Sequence, residues 1–247
     1  MGRSVFIQRI VFCLASTFLI GTASISVQAQ DAQPVGVQVR MMSVKPDSVA
    51  QFEAAIGDIS AALQEQGRPF FHVYERLRGD GIPGFTVISP DPYFGEVVPV
   101  DIGDALGDRI RHTLSDSTRL TIQTYTNLGI AGESLAPPAP YLRTRVRITS
   151  PANRADFIEW QEEAVELLTE AGLSDLRVGR IVLGGNSDSW VRWTYQESIS
   201  GPPTGLDIEG TVGQNRIDAM VAEGNELLVA QEDYVLMFRE DLSFTAE

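Results

Sequence analysis

The 247-residue chain has little cysteine, lysine and histidine, and each scarcity excludes a kind of site. Its one cysteine, Cys13, falls in an apolar N-terminal stretch that we interpret as cleavable, so the mature protein would have no disulfide and no thiolate metal site. Lys45 is the only lysine, and no basic run offsets the net charge of −14, which argues against nucleic-acid binding. With only His72 and His112 present, we predict no metal site and no cofactor.

Residues 1–29 have the pattern of a secretory signal peptide. Arg3 and Arg9 precede an apolar stretch of signal-peptide length, residues 10–20, and Ala29 closes a cleavage site. An uncleaved anchor is the alternative, because weaker apolar character continues beyond residue 20. We expect export across the inner membrane to the periplasm, with no stable membrane anchor after cleavage.

An internal repeat is the strongest signal in the chain. When the sequence is shifted by 105 residues, most of the first half aligns with the second half without a gap. The matched pairs include Arg40 with Arg145, Pro46 with Pro151, Phe52 with Phe157, Gly67 with Gly172, and Val73 with Val178. In the last third of the repeat the shift becomes 114 residues. The added residues fall in the Gly/Pro-rich stretch 198–210, where an insertion is tolerated. We therefore predict a first module at residues 30–128, a Pro-rich linker at 129–140 and a second module at 141–247.

Each module has the predicted element order βαββαβ. The first-module strands are 35–44, 70–78, 84–89 and 120–127, and the second-module strands are 141–149, 176–183, 189–196 and 233–240. A first helix follows each opening strand, with Asp47, Ser48 or Asn153 as cap and Gly67 or Gly172 as its C′ residue. The second helices are predicted at 101–115 and 212–228.

A four-stranded sheet with helices on one face must have its other face covered, and a second sheet can cover it. Apolar and polar residues alternate in the strands, so that one face carries Leu142, Val146 and Ile148 and the other carries Arg143, Arg145 and Arg147. We expect His72 and Tyr74 to share the arginine face. The predicted fold is α+β, two tandem ferredoxin-like modules forming an intrachain dimeric α+β barrel.

The module order, the strand–Pro–helix opening at Pro46 and Pro151 and the tandem pairing resemble the dimeric α+β barrel superfamily. That superfamily includes antibiotic-biosynthesis monooxygenase, NIPSNAP and EthD-type domains, together with haem-degrading and chlorite-dismutase relatives. The resemblance covers Val35 to Leu242 and implies a fold. It transfers no catalytic residue, because no family-specific catalytic motif is matched.

The arginine row is the candidate ligand site. Arg40, Arg143 and Arg145 could receive an anionic small molecule, since guanidinium matches carboxylate in a bidentate manner, and Trp193 is the tryptophan placed to join them. The alternative is that these arginines pair with acidic residues of neighbouring strands. Trp160 and Trp190 are interpreted as core.

His72 and Tyr74 are the candidate catalytic pair. A histidine beside a tyrosine could move protons in a cofactor-independent oxygenation or isomerisation, although such a pair is more often a satisfied polar spot in a barrel wall. His112 raises the question of haem binding, because some superfamily relatives ligate iron from the second helix. Its position about 140° from the apolar stripe predicts that it points to solvent instead.

We therefore expect an exported small-molecule-binding α+β barrel of unknown ligand, with an anion as the class to test first. A cofactor-independent monooxygenase or isomerase-like enzyme and a structural or oligomerisation module are the alternatives. A cavity touching His72 and Trp193 would favour the enzyme, an arginine-lined cleft would favour binding, and a filled barrel with every arginine paired would favour the structural module. Whether the chain is an enzyme, and whether it forms a higher homo-oligomer, stay open.

Overall fold

The computed structural model describes residues 36–80, 83–91, 103–130, 137, 139–207 and 212–246, and the predicted signal segment lies outside them. The strands are β1 (Gly36–Val44), β2 (Phe70–Arg78), β3 (Gly84–Pro90), β4 (Leu114–Thr124), β5 (Tyr141–Thr149), β6 (Leu176–Leu183), β7 (Ser189–Gln196), β8 (Leu228–Phe238) and the short β9 (Phe244–Thr245). The α-helices of this part of the chain are α1 (Val49–Glu65), α2 (Asp104–Thr113), α3 (Arg154–Glu170) and α4 (Gln214–Glu226).

Eight antiparallel strands close into a barrel, which confirms the α+β class. Their order around the ring is β3-β1-β4-β6-β7-β5-β8-β2, and the pairing of β2 with β3 completes it. Two seams join strands from different halves of the chain: β4 meets β6, with Ile122 opposite Ile181, and β8 meets β2, with Leu236 opposite Arg76. An eight-stranded barrel has an interior of a size that side chains can fill.

The first helix of each half begins and ends where the sequence predicts. Ser48 and Asn153 occupy the N-cap positions, but neither side chain makes a capping hydrogen bond, so the predicted capping contact is wrong. Gly67 and Gly172 follow the helices with φ of +73° and +84°, the left-handed conformation expected of C′ glycines. On α1 the apolar stripe that includes Phe52 is buried, as the helical period requires.

Three apolar cores pack on the two sides of the barrel wall. The barrel interior contains Val39, Leu120, Ile122, Leu142, Val191, Trp193 and Leu236. A second core lies between the wall and the helices α1 and α2, and includes Phe52, Ile56, Ile59, Phe71, Val73 and Phe85. A third lies between the wall and α3 and α4, and includes Phe157, Trp160, Leu168, Val178 and Trp190, which confirms Trp160 and Trp190 as core residues.

Tyr74 and the arginine row lie on opposite sides of the wall, so the expectation of one shared face is wrong. Tyr74 is opposite Phe238 and belongs to the interior core. The guanidinium of Arg147, in contrast, lies over the Trp160 ring of α3, 5.1 Å from its centroid. Because helices cover one side of the wall and the barrel interior covers the other, both sides are largely apolar, and alternation within a strand does not identify which side is which.

The last strand of each half begins earlier than the sequence predicts. Strand β4 starts at Leu114, directly after α2 ends at Thr113, and β8 starts at Leu228. The early residues of both strands are largely exposed, polar in β4 and of mixed polarity in β8, so they lack the apolar alternation that identifies a half-buried strand. Within the described residues, we find no helix with the length and apolar character needed to cross a membrane.

Candidate functional site

A cavity of about 660 Å³ lies between the first half of the barrel wall and the helices α1 and α2. Its volume is in the range of small-molecule sites. Apolar side chains from the wall and both helices form most of the lining: Met42, Ile56, Ile59, Leu63, Phe70, Phe71, Val87 and Ile110. The strands β1 and β4 add polar groups, and four arginines line the cavity: Arg40, Arg68, Arg111 and Arg119.

Arg40 and Arg119 lie side by side on the cavity wall. Alternation along β1 turns Gln38, Arg40 and Met42 to the same side, and the register of β1 with β4 places Arg40 directly opposite Arg119. Burial, and then the charge of Arg119, lower the pKa of Arg40. With its amide oxygen turned toward Arg119, Gln38 accepts hydrogen bonds from Nε at 3.1 Å and from Nη2 at 2.7 Å. Two like charges are thus held together at a cavity.

The cationic lining has few acidic partners. In the described part of the chain, no carboxylate lies within ion-pair distance of Arg40, Arg68 or Arg119. Arg111 forms a largely solvent-exposed ion pair with Asp108, and Asp104 is the acidic residue of the cavity lining. The cavity therefore combines an apolar body with excess positive charge, on a protein whose net charge is −14.

The matching space of the second half is filled. Trp160 is the seventh residue of α3, where α1 has Ala55, and it is only 4% exposed. Its Nε1 donates to the carbonyl oxygen of Met220 at 2.9 Å, and its ring lies so close to Gly224 that any side chain there would collide with it. The first half has no large side chain at this helix position, which helps to explain why the cavity lies there.

Arg143 and Arg145, two of the predicted ligand residues, lie at the filled side of the second half. Arg143 donates from Nε to Asp233 at 3.0 and 3.1 Å, and Arg145 Nε is 3.5 Å from the same carboxylate. The structure therefore separates them from Arg40, the predicted ligand residue that lines the cavity. Trp193 is buried in the barrel interior, where the remaining free volume is about 20 Å³, enough for about one water molecule.

His72 is buried at one end of the barrel, 2% exposed. Its Nε2 is 2.9 Å from the Thr245 hydroxyl, and its ring packs against Phe70 and Phe238. Burial, and then the charge of Arg177, lower the pKa of His72 to about 4. The imidazole is therefore neutral at physiological pH and a weak base, and it is not part of the cavity lining.

Tyr74, the second predicted catalytic residue, lies inside the barrel near three polar residues, Tyr195, Arg177 and Asp175. Burial, and then Tyr195, raise the pKa of Tyr74 well above its usual range, and burial raises the pKa of Tyr195. Arg177 lies over the Tyr195 ring at 5.6 Å and donates from Nη2 to Asp175 at 3.1 Å. Both phenols stay protonated at neutral pH, so neither is poised as a base.

Haem ligation does not fit the described residues. His112 lies on the exposed side of α2, as predicted, and its backbone carbonyl accepts a hydrogen bond from Lys45. The cavity lining contains neither histidine nor cysteine, and the described residues include no cluster of three potential metal ligands. No chemistry routed through a metal follows from this site.

Sequence reasoning missed Arg68 and Arg119. The predicted last strand begins at residue 120, so Arg119 falls in a predicted loop, where alternation assigns no face to its side chain. A signal was available, because Arg119 lies 114 residues before Asp233 and so has a counterpart in the repeat. Arg68 comes directly after Gly67 at the end of α1, where the sequence does not show which way a side chain points.

Neither a protein-family model nor a curated protein matches the chain. Solved structures do match in fold. Two proteins provisionally assigned as monooxygenases, from Lactobacillus acidophilus (9% identity, 86% of this chain and 96% of that one, TM-score 0.58) and Fusobacterium nucleatum (14%, 84% and 93%, 0.59), are similar over most of their length. A mutant chlorite dismutase from Candidatus Nitrospira defluvii is similar at 12% identity, over 85% and 94% of the chains, with TM-score 0.51. At such identities these likenesses show the fold alone.

Proposed function

We propose that the barrel is an intrachain pair of ferredoxin-like modules. The strand orders β4-β1-β3-β2 and β8-β5-β7-β6 correspond element by element. The registers correspond as well: Arg40 lies opposite Val87 and Arg119, and their counterparts at shifts of 105 and 114 are Arg145, Arg192 and Asp233, which also lie opposite one another. Because the two halves have the same strand pairing, the seam between β4 and β6 is equivalent to the seam between β8 and β2. Two equivalent seams join the halves at both edges and so close the ring.

We infer that the first half binds an amphipathic organic anion in the cavity beneath α1 and α2. The observation that carries this proposal is the cross-strand pair of Arg40 and Arg119, held at an apolar cavity without an acidic partner among the described residues. Arg40 is half-buried and Arg119 is exposed, and keeping the half-buried guanidinium beside a like charge is costly unless an anion compensates it. A carboxylate or sulfonate on an apolar body would satisfy both arginines and cover the aliphatic lining.

The enzyme alternative has weaker support. His72 would have to act as a proton acceptor, yet its pKa is about 4 and the cavity lining includes neither His72 nor Trp193. The structural-module alternative fits the filled barrel interior but leaves the arginine-lined cavity unexplained. Binding is therefore the function with the most support.

Anilinonaphthalene sulfonate, an anionic aromatic dye, and the neutral N-phenylnaphthylamine test the charge requirement together. We expect the sulfonate to bind the wild type in fluorescence titrations and the double variant Arg40→Met, Arg119→Met to bind it on the order of 10- to 100-fold more weakly. The neutral dye should lose little affinity, because the apolar lining is kept. Arg109→Met is the control, because Arg109 is exposed and belongs to α2, a helix that lines the cavity. Equal affinity of the double variant and the wild type for the sulfonate would contradict the proposal.

The cavity can also be filled without touching its charges. Gly107 belongs to the cavity-lining side of α2 together with Gly103, Ile110 and Arg111, and a side chain built there meets nothing within 4 Å. Gly107→Phe should therefore fold normally and bind both dyes more weakly. Ala105→Phe, on the exposed side of α2, is the matched control and should bind as the wild type does. Unchanged binding by Gly107→Phe would show that the dyes bind elsewhere.

We also propose that residues 1–29 direct export. N-terminal sequencing of protein recovered from the periplasm should then give a mature chain that begins at Gln30. A chain retained with residues 1–29 intact would contradict cleavage.

A further inference from the structure

The second half contains a row of arginines that the proposed cavity does not use. Arg143, Arg145 and Arg147 lie on the helix side of β5, and Arg192 of β7 lies directly opposite Arg145. The other neighbour of Arg145, on β8, is Asp233. Four arginines and one aspartate thus lie side by side on the surface of the wall that faces α3.

The two innermost arginines are the most deeply buried. Arg147 is 5% exposed and Arg192 is 8% exposed. Asp233 is within ion-pair distance of Arg143 and Arg145, but in the described part of the chain no carboxylate is that close to Arg147 or Arg192. Among the described residues, the four arginines therefore have one carboxylate within ion-pair distance.

Several N–H groups of this row are buried without a hydrogen-bond acceptor. They are Nε of Arg145, Nη1 of Arg147 and Nε of Arg192. Arg147 is held in place through its other atoms, because its Nε donates to the Gln231 side chain at 3.2 Å and its guanidinium lies on the Trp160 ring. Buried donors and uncompensated charge are both costly, and an anion would satisfy both.

We infer that Arg145, Arg147 and Arg192 form a buried site for a small oxyanion of the phosphate or sulfate class. Such an ion presents several acceptor oxygens, which neighbouring guanidinium donors can bind. A small ion fits better than an organic one, because Trp160 occupies the space that is open in the first half. The first half has Met42 and Val87 in place of Arg147 and Arg192, so this site belongs to the second half alone.

The unfolding midpoint of protein prepared without phosphate or sulfate tests the site, with each anion added separately at constant ionic strength. The wild type should be stabilised in a saturable way, because a ligand that binds only the folded state raises the midpoint with the logarithm of its concentration above Kd. Arg192→Val and Arg147→Met, which install the first-half residues, should lose this response and be at least as stable as the wild type without the anion. Arg180→Met, on the neighbouring strand β6, should keep the response.

The response must also survive in the double variant Arg40→Met, Arg119→Met, which separates this site from the proposed cavity. If Arg192→Val and Arg147→Met respond as the wild type does, the site is elsewhere and the inference fails. It fails equally if the wild type shows no response and ion chromatography finds no phosphate or sulfate released when the purified protein is denatured. Stoichiometric release from the wild type, and none from Arg192→Val, would support a resident ion.

Discussion

Arg119 and Asp233 occupy matching positions on the last strands of the two halves, and this difference gives the two halves different charge. In the second half Asp233 accepts hydrogen bonds from Arg143 and lies 3.5 Å from Arg145. In the first half Arg40 faces another arginine beside a cavity. A single difference between the repeats thus separates an arginine with a carboxylate partner from one that faces another arginine.

His72 is a residue whose burial has a measurable consequence for stability. Its pKa falls from 6.5 to about 4 on folding, so between these values the unfolded state binds a proton that the folded state does not. Stability therefore rises with pH across this window and is lost as the pH falls from about 6.5 to 4. The shift corresponds to about 3 kcal/mol of unfolding free energy.

His72→Gln removes this titration and keeps a polar partner for Thr245. From pH 7 to pH 4 we expect the wild type to lose about 3 kcal/mol more unfolding free energy than the variant. Urea denaturation at the two pH values measures the difference. Parallel loss of stability in the two proteins would mean that His72 is protonated in the folded state.

The residues of the candidate site were only partly predictable. Arg40 was singled out from its place in the arginine row, and it lines the cavity. Arg119 and Arg68 were not, because cross-strand pairing and the path of the chain after α1 decide where they point. Arg143, Arg145 and Trp193 were grouped with Arg40 because a pattern in one strand does not reveal which side of a closed wall it faces.

Strands β1, β2 and β5 to β7 follow the predicted ranges closely, since each is bounded by glycine or proline turns or by a helix. Strands β4 and β8 do not, because their early residues are largely exposed and show no alternation of apolar and polar side chains. Pairing with β1 and β5 fixes them as strands, and such a long-range contact leaves no periodic signal in the sequence.

The turn between β6 and β7 contains a glycine, Gly184, at which the lack of space for a side chain can be distinguished from the need for a positive φ. Gly184 has φ of +85°, and a side chain there would collide with the carbonyl oxygen of Arg119 on β4. Gly67 has φ of +73° and nothing within 4 Å. Gly67→Ala should therefore cost about 1 kcal/mol from conformation alone, and Gly184→Ala about 1–3 kcal/mol more from displacement of β4. Equal shifts in the urea midpoints of the two variants would show that β4 moves away from the new side chain at no energetic cost.

At the scale of the whole molecule, the barrel fold is more predictable from the sequence than the packing of side chains inside and around it. Two similar modules with one uncovered sheet face each must cover one another, and this requirement predicts a barrel from the sequence alone. The filling of the interior and the empty space in one half could not be read in the same way. They depend on single differences, such as Trp160 against Ala55, whose effect appears only when a helix is packed on its sheet.

A crystal structure of the protein with anilinonaphthalene sulfonate, with the sulfur located by its anomalous signal, tests the binding proposal most directly. The account predicts the sulfonate oxygens about 3 Å from the guanidinium groups of Arg40 and Arg119, with the aromatic rings against Ile56, Ile59 and Phe71. A fully occupied dye bound outside this cavity, with Arg40 and Arg119 untouched, would contradict it.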